Sequence, residues 1–395
     1  MVFSPPHKML ASDFWHHAAG VDLPCPADRI ALLFPAGGLV DGGFGKNAGL
    51  PTDGLAGHGV FGKSGVAPLL AGGGLGNHPA QPVGAMAAMP LRMKLRGADI
   101  HAAHVLLPPD GRDEIHDMAA LLGDCLGRAA KHGDVMAFAE AENNPLLDDQ
   151  WNTVFCTEAA QARAHVVDLP PLHDLTPALV PQWHRFRQWR FQPFDAAFSA
   201  SQPTLLAQLE RFCARPDHLA LCARDGRQLS GVWFGRVVRE QADTLQAFGD
   251  DPFWFALVSG LARRGAKRVR LRLPPETGLR IGQDVVSVPQ TAGRVINLAK
   301  LITALPSGSP ESAHIFVQDP LFAHNHGLWR ISGKQAMCEA QRVPRSGDIS
   351  PAVATAGELA QWILGNPMAL HGNTTQCLTL ARILPPITPM TWLAP

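Results

Sequence analysis

The 395-residue chain contains no tyrosine and carries no net charge, and both features limit what it can do. Without tyrosine, a phenolic side chain is unavailable as an acid catalyst. The 34 Lys and Arg residues balance the 34 Asp and Glu residues, so there is no general basic surplus for a nucleic-acid backbone, and nucleic acid is not expected as a partner. A local basic run from Arg263 to Arg272 is interpreted as a helix end followed by a strand with one solvated face.

Cysteine spacing and hydrophobic runs exclude further classes of protein. The seven cysteines are an odd number, are widely scattered, and show no CxxC pair or zinc-ligand spacing. We therefore expect buried free thiols, no metal site and a reducing, cytoplasmic compartment. No apolar run resembles a signal peptide near the N-terminus. The uncharged stretch Ser64–Leu91 contains four prolines and a triple glycine, so no membrane span is expected.

Glycine is abundant in one segment before residue 80. Fifteen glycines between Gly37 and Asn77 predict a long loop, and residues 1–35 are predicted to be irregular apart from a short helix at Ser12–Ala19. The octapeptide Gly57–Ser64 fits the phosphate-loop pattern GxxxxGK[ST]. A phosphate loop needs a strand before it and a helix after it, and neither is predicted here. We therefore expect no nucleotide at this match.

From Val83 onward the pattern predicts alternating strands and helices, hence a mixed α/β fold. In the first part the predicted elements are strand Ala85–Leu95, turn Gly97–Asp99, strand Ile100–Leu107, helix Asp113–Lys131 ended by Gly133, and strand Val135–Ala139. In the second part they are helix Gln202–Cys213, strand Leu219–Cys222, strand Gly231–Val238, helix Asp251–Arg264 and strand Arg268–Leu273. In the last part they are strands Val295–Leu298, His314–Gln318 and Gly327–Ile331, helix Gly357–Leu364, and a non-helical tail Leu384–Pro395.

Three histidine pairs could suggest a metal site: His16 with His17, His101 with His104, and His324 with His326. No third ligand accompanies any of them, so polar or hydrogen-bonded histidines are expected instead. There is also no GxSxG motif to locate a catalytic serine triad.

One stretch carries a family resemblance. A strand, the segment Val105–Arg112 and a helix together resemble the central motif of the GNAT acyltransferases, and the hairpin Gly84–Gly97 resembles the enhanced-intracellular-survival (Eis-like) type. Other segments that resemble the Eis-like type are Asn144–Trp151, Ala292–Leu298, Val317–Pro320, Asn325–Trp329 and Gly357–Gly365. The resemblance covers residues 83–395.

The resemblance implies tandem GNAT-like units plus a C-terminal unit like sterol carrier protein. Its boundaries would be a glycine-rich segment of the first unit at 1–82, a GNAT-like unit at 83–170, a second such unit at 171–290, and the C-terminal unit at 291–395. It implies acetyl transfer from acetyl-CoA to a primary amine on a small molecule or peptide, by a homo-oligomer.

The resemblance also assigns residues. Val105, Leu106 and Leu107 would bind the cofactor through their backbone, and Arg112, Asp113, Ile115 and His116 would lie where its pyrophosphate meets the helix. The base would be the terminal carboxylate of Pro395, or Glu140 or Glu142 after the next strand.

Three departures oppose full activity. Ile115 or His116 replaces the glycine of the phosphate loop, and Asp110, Asp113, Glu114 and Asp117 repel a pyrophosphate. The family's acid tyrosine aligns with Leu147 or its neighbours, and the chain has no tyrosine to replace it. Weak or absent acetyl-CoA binding is expected, which leaves two alternatives open: a catalytically impaired protein with a binding or assembly role, and a carrier of an apolar ligand in the C-terminal unit.

Overall fold

The computed structural model describes residues 27–33, 84–106, 115–141, 150–273, 283–345 and 347–387. Several sequence predictions lie outside these residues: the helix at Ser12–Ala19, the glycine-rich loop Gly37–Asn77 with the Gly57–Ser64 match, and the tail beyond residue 387.

The described elements follow the mixed α/β order that the pattern predicts. The strands are β1 Ile30–Leu33, β2 Gly84–Leu95, β3 Ala98–Leu106, β4 Met136–Glu140, β5 Asn152–Arg163, β6 His173–Asp174, β7 Ala196–Ser199, β8 His218–Asp225, β9 Gln228–Val238, β10 Gln241–Gly249, β11 Arg268–Leu273, β12 Gln283–Val295, β13 Ser312–Gln318, β14 Gly327–Lys334, β15 Met337–Arg342, β16 Ala352–Thr355 and β17 His371–Gly372. The α-helices are α1 Ile115–Lys131, α2 Val180–Phe191, α3 Gln202–Cys213, α4 Asp251–Arg263, α5 Leu298–Thr303, α6 Ala356–Ile363 and α7 Thr374–Ile383.

In the described part of the chain, seventeen strands form two sheets. The larger sheet runs in the order β1-β2-β3-β4-β12-β5-β11-β10-β9-β8-β6, with β7 paired to the free half of β2. The smaller sheet has the order β15-β14-β13-β16-β17. Because β12 pairs with both β4 and β5, and β5 pairs with β11, the strands of the first two predicted units form one continuous sheet.

Local chemistry explains where the first elements begin and end. Arg96 and Gly97 both have positive φ, 52° and 85°, which makes the two-residue turn that suits the twist of a hairpin. The turn therefore lies one residue earlier than predicted. At the end of α1, Gly133 has φ 86° and the Asp134 amide donates to the Ala129 carbonyl, so this glycine ends the helix as expected.

The two faces of the first part of the large sheet are covered by different layers. On one face, Leu121, Leu122, Cys125 and Leu126 of α1 pack on β2, β3 and β4. The opposite face packs on the C-terminal elements α5 to α7 and the small sheet, in one continuous apolar cluster. Gly357 permits this contact, since a Cβ there would lie 2.6 Å from the Asn152 amide nitrogen.

The second part of the sheet is a three-layer arrangement. Helices α2 and α3 cover one face, with Trp183 and Phe234 in the apolar layer, and α4 covers the other, with Trp233 and Trp254. Asp250 caps α4 by accepting a hydrogen bond from the Phe253 amide at 3.0 Å. The basic run is as interpreted: α4 ends at Arg263, and arginines alternate with buried residues along β11.

The structure corrects several sequence predictions. Residues 1–35 are not wholly irregular, because β1 pairs antiparallel with β2. Val295–Leu298 is not a strand: β12 ends at Val295, and Asn297 caps α5, which begins at Leu298. The cysteines in the described part of the chain are free thiols, yet Cys213 is exposed rather than buried. The prediction also omitted β5, β6, β7, β10, all of β12 except Val295, β15, β16, β17, α2, α5 and α7.

Among the described residues, no helix is long and apolar enough to cross a membrane.

Candidate active site

Strands β3 and β4 separate at their carboxyl ends. They pair in parallel only from Ala102 with Met136 to His104 with Phe138. Yet β3 continues to Leu106 and β4 to Glu140. Each strand stays attached to its outer neighbour, β3 to β2 and β4 to β12. The result is a gap between two parallel strands whose backbone groups face each other without a shared ladder.

Helix α1 begins close in sequence to this gap, at Ile115, nine residues after the last residue of β3. Ile115 and His116 are its first two described residues, and the predicted start at Asp113 lies outside the described residues. The first amides of a helix have no intrahelical partner and attract anions. Since α1 packs on β3 and β4, a gap between strands and a helix N-terminus occur within one supersecondary unit.

The histidine at the start of the gap is His104. Its Nε2 is buried and has no hydrogen-bond partner in the structure. Burial lowers the pKa of this imidazole to about 4, so the ring is neutral at pH 7. His104 pairs with Phe138, a core residue of the sheet face opposite α1. A neutral imidazole with an unused nitrogen can donate or accept one hydrogen bond there.

His104 was considered in the sequence only as half of a metal pair with His101. The two residues do not converge: His101 is exposed on β3, whereas the His104 nitrogen is enclosed. The apolar run Ala102-Ala103-His104-Val105-Leu106 is the sequence signal for a buried His104, because a histidine within an apolar strand packs against the core. Within the described ranges there is no group of three or more metal-ligating side chains.

The sequence-predicted site residues are only partly brought together. Val105 is buried and Leu106 half-buried on β3, on one side of the gap, and Glu140 ends β4 on the other side. Glu140 is exposed and lies opposite Thr291 of β12. The backbone at Ile115 and His116 lies at the start of α1. Leu107, Arg112, Asp113, Glu142 and Pro395 lie outside the described residues.

A buried ion pair joins β12 to the C-terminal elements. Arg294 of β12 donates from Nη2 to Asp319 Oδ1 at 2.9 Å, with side-chain exposures of 2% and 0%. Asn325 donates to the other carboxylate oxygen at 2.9 Å and accepts from the Leu298 amide at 2.9 Å. Three of the motifs in the C-terminal part of the sequence therefore meet in one polar cluster.

The last described residues of the chain pack at the hairpin turn, on the sheet face opposite α1. Arg96 donates to the Pro385 carbonyl at 2.6 Å and to the Ile363 carbonyl at 3.3 Å. Leu384 belongs to the apolar cluster that includes Ala102 and Phe138. The described part of the tail thus lies at the turn end of β2 and β3, on the face that carries His104.

Comparison with solved structures matches this arrangement to one fold. A GCN5-related N-acetyltransferase from Anabaena variabilis superposes with a TM-score of 0.60 at 15% identity, covering 78% of this chain and 86% of that one. A GCN5-related N-acetyltransferase from Kribbella flavida gives 0.58 at 14% identity, with 78% and 84% covered. Eis1 from Mycobacterium abscessus gives 0.54 at 14% identity, with 80% and 88% covered.

The chain has the GNAT fold. The match extends over more than three quarters of the chain, so the GNAT-type neighbours share its overall arrangement and not one motif alone. No family model matches the sequence, and no curated protein does. With identities of 14–15%, the similarity concerns the fold, and the chemistry has to be argued from the residues of this GNAT-fold chain.

Proposed function

We propose that this protein is an acyl-CoA-dependent N-acyltransferase of the Eis-like type. The observation that carries the proposal is the gap between β3 and β4, where parallel pairing stops at His104 although both strands continue. Unpaired backbone edges need hydrogen-bond partners, and an extended amide-bearing chain such as pantetheine supplies them. Helix α1 follows β3 in the chain, and its N-terminus would suit the pyrophosphate of the cofactor.

The acyl donor would lie along the β3 edge. The backbone of Val105, Leu106 and Leu107 would bind the pantetheine amides, and the amides of Ile115 and His116, with Arg112, would face the pyrophosphate. Asp113 and its acidic neighbours would weaken this contact, because unit charges about 6 Å apart repel by nearly 3 kcal/mol at an effective dielectric of about 20. Acetyl-CoA is the proposed donor, bound weakly.

The reaction would be aminolysis of the thioester. The amine nitrogen attacks the carbonyl carbon, the C–S bond breaks, the ammonium proton passes to a carboxylate base, and the coenzyme leaves as a thiolate. His104 is better suited to donate a hydrogen bond to the thioester oxygen than to act as base, because its pKa of about 4 makes it a weak proton acceptor. The base would be Glu140, Glu142 or the Pro395 carboxylate.

An extended tail would be long enough to bring Pro395 to the gap. From Ala98 to Leu106, β3 spans eight residue steps, roughly 26 Å at about 3.3 Å each. Residues 388–395 number eight, and extended they cover roughly the same length. A tail that starts near Arg96 and runs beside β3 would therefore bring the Pro395 carboxylate close to His104.

The C-terminal part, residues 291–395, is proposed to be a sterol-carrier-like unit that serves as a scaffold. Its apolar residues, including Leu301, Ile315 and Trp362, share a continuous core with the large sheet. Residues committed to that core are not available to a lipid ligand, which favours support of the active site over carriage of an apolar ligand.

Calorimetric titration with acetyl-CoA tests the proposal, together with a thiol-release assay on small primary amines. The unmodified protein and Asp113→Gly/Glu114→Arg are compared at matched ionic strength. We expect tighter binding by the double variant, by one to two powers of ten, and amine-dependent thiol release. Micromolar binding by the unmodified protein would refute the inhibitory role of the acidic loop. Absence of binding by both proteins would refute the acyltransferase and support a binding or assembly role.

A further inference from the structure

A cavity of about 520 Å³ lies at the opposite end of β3 from the gap. It is enclosed by the β2–β3 hairpin, by helix α2 and by the segment that contains β7, so both tandem parts of the chain contribute to it. Lys94 and Asp99 lie at the hairpin side, and Arg187 and Phe191 at the helix side. The volume suits a small organic molecule rather than a single ion.

Arg187 is the unusual residue in this lining. Its side chain is 4% exposed, Nη2 donates to the Phe198 carbonyl at 3.1 Å, and Nη1 has no partner. In the described part of the chain, no carboxylate lies within ion-pair distance of it. Burying a guanidinium without a counter-charge is unfavourable, and the pKa of Arg187 is lowered to about 10 by that burial.

The contacts of Arg187 explain its position but leave its charge uncompensated. Its guanidinium carbon lies 4.6 Å from the centre of the Phe191 ring and 5.8 Å from that of Phe248. Ring faces stabilise a cation only partly, and they leave the planar fork of donors available at its edge. An anion in the cavity would accept the free N–H groups and supply the missing negative charge.

The remaining lining narrows the class of anion. Phe191, Phe194 and Phe198 supply aromatic wall, which suits an apolar body. Asp99 and Asp195 also line the cavity, and exposed Lys94 offsets only one of these two negative charges, so a dianion such as phosphate would still be repelled. A monoanion meets less repulsion, and its carboxylate geometry matches the guanidinium fork.

We propose that this cavity is a binding site for a small monocarboxylate with an aromatic or aliphatic body, held by Arg187. The site is separate from the acyl-CoA gap, because six residue steps of β3, from Ala98 to His104, place the hairpin and the start of the gap roughly 20 Å apart. It therefore does not depend on the acyltransferase proposal. Its location between the hairpin and α2 means that the ligand would connect the two tandem parts.

Calorimetric titration with 3-phenylpropionate, phenethylamine and inorganic phosphate tests the site. 3-Phenylpropionate has both the carboxylate and the apolar body. Phenethylamine has the same apolar body with a positive charge, and phosphate has negative charge without an apolar body. We expect binding of 3-phenylpropionate, at least tenfold weaker binding of both other probes, and a rise in melting temperature with 3-phenylpropionate. Equal or tighter binding of phenethylamine, or of phosphate, would overturn the proposal, as would absence of binding of 3-phenylpropionate at millimolar concentration.

Substitution assigns the binding to the guanidinium. Arg187→Met keeps the bulk and removes the charge, and Arg187→Lys keeps the charge without the fork. Arg185→Met, at an exposed position of the same helix outside the cavity lining, is the matched control. We expect Arg187→Met to fold but to lose both binding and the ligand-dependent rise in melting temperature. Arg187→Lys should bind 3-phenylpropionate at least tenfold more weakly than the unmodified protein, and Arg185→Met should bind it equally well. Unchanged binding by folded Arg187→Met would show that Arg187 is structural only. If Arg187→Met did not fold, unchanged binding by Arg187→Lys would overturn the proposal instead.

Discussion

Arg294 and Asp319 form an ion pair that is almost completely sealed from solvent, with Nη2 and Oδ1 2.9 Å apart. The pair joins β12, the strand between the two tandem parts of the sheet, to the loop after β13. Asp319 also accepts hydrogen bonds from the amides of Leu321 and Phe322, at 3.1 and 3.0 Å. One carboxylate therefore fixes a loop and neutralises a buried cation.

The first prediction concerns this pair. Arg294→Met should lower the free energy of unfolding by about 3–5 kcal/mol, because it leaves the buried Asp319 carboxylate without its counter-charge. Arg294→Met/Asp319→Asn should recover at least half of the loss, since the uncompensated charge is then gone. Urea unfolding at pH 7 measures both.

Lys334→Met is the control for that experiment. Lys334 pairs with Glu339 at 3.2 Å, but both side chains are more than half exposed. Its loss should change stability by less than about 1 kcal/mol. If Arg294→Met and Lys334→Met lowered the free energy of unfolding by similar amounts, burial would not be what makes the Arg294–Asp319 pair important for stability.

The second prediction concerns packing around Phe253 in the second part of the sheet. Gly231 of β9 and Gly249 of β10 both contact its ring, and a Cβ at either position would overlap the ring atoms. Gly249→Ala should therefore destabilise the protein by about 1–3 kcal/mol through overpacking. Thermal unfolding compares it with Gly127→Ala in helix α1, where nothing lies within 4 Å of the added methyl group. Gly127→Ala should instead raise the free energy of unfolding by about 0.5–1 kcal/mol, because alanine favours a helix over glycine. A lower stability of Gly127→Ala would contradict the open space around Gly127.

The third prediction is a pH dependence that comes from His104. Its pKa is lowered to about 4 in the folded protein, from 6.5 in an unfolded chain. Above pH 6.5 the imidazole is neutral in both states; as the pH falls toward 4, only the unfolded state gains the proton, so folding becomes less favourable. Relative to His104→Gln, the unmodified protein should lose up to about 3 kcal/mol between pH 6.5 and 4.

Urea unfolding at a series of pH values measures this difference. His101→Gln, on the same strand with an exposed side chain, serves as control and should follow the unmodified protein. A stability difference between His104→Gln and the unmodified protein that does not vary with pH would show that the imidazole protonates freely when folded.

The fourth prediction separates roles at the acyl-transfer gap. His104→Gln keeps a hydrogen-bond donor, whereas His104→Phe removes it. If His104 donates to the thioester oxygen, His104→Phe should lower kcat by about 10²–10³ with little change in KM. Thiol-release kinetics measure this, and equal kcat values for the unmodified protein and His104→Phe would remove His104 from the reaction.

The fifth prediction concerns the chain end. Deleting Thr391–Pro395 should lower kcat without changing the melting temperature, because the carboxylate is proposed to act as base while the described core ends at Ile387. Unchanged kinetics of the truncated protein would leave Glu140 or Glu142 as the candidate base.

The sequence predicted the bounds of those elements whose own residues indicate where they begin and end. Helix α3 and strand β11 have the predicted bounds, because their apolar spacing and their flanking turn residues agree. It failed at β12, a strand of thirteen residues containing Pro289 and Gly293. Neither residue favours a strand, and β12 is held by partners on both edges that are distant in the chain.

What the sequence determined by itself is the order of elements and the chemistry available: no tyrosine, an acidic loop after β3, and a helix that Gly133 ends. Local periodicity and turn preferences act over a few residues, so they can be read from the chain. The tertiary structure alone decided that β3 and β4 separate after His104, that Arg294 meets Asp319, and that Arg187 faces a cavity without a counter-charge. These relationships depend on long-range pairing and burial, which set the pKa of a histidine and the cost of an arginine only after the chain has folded.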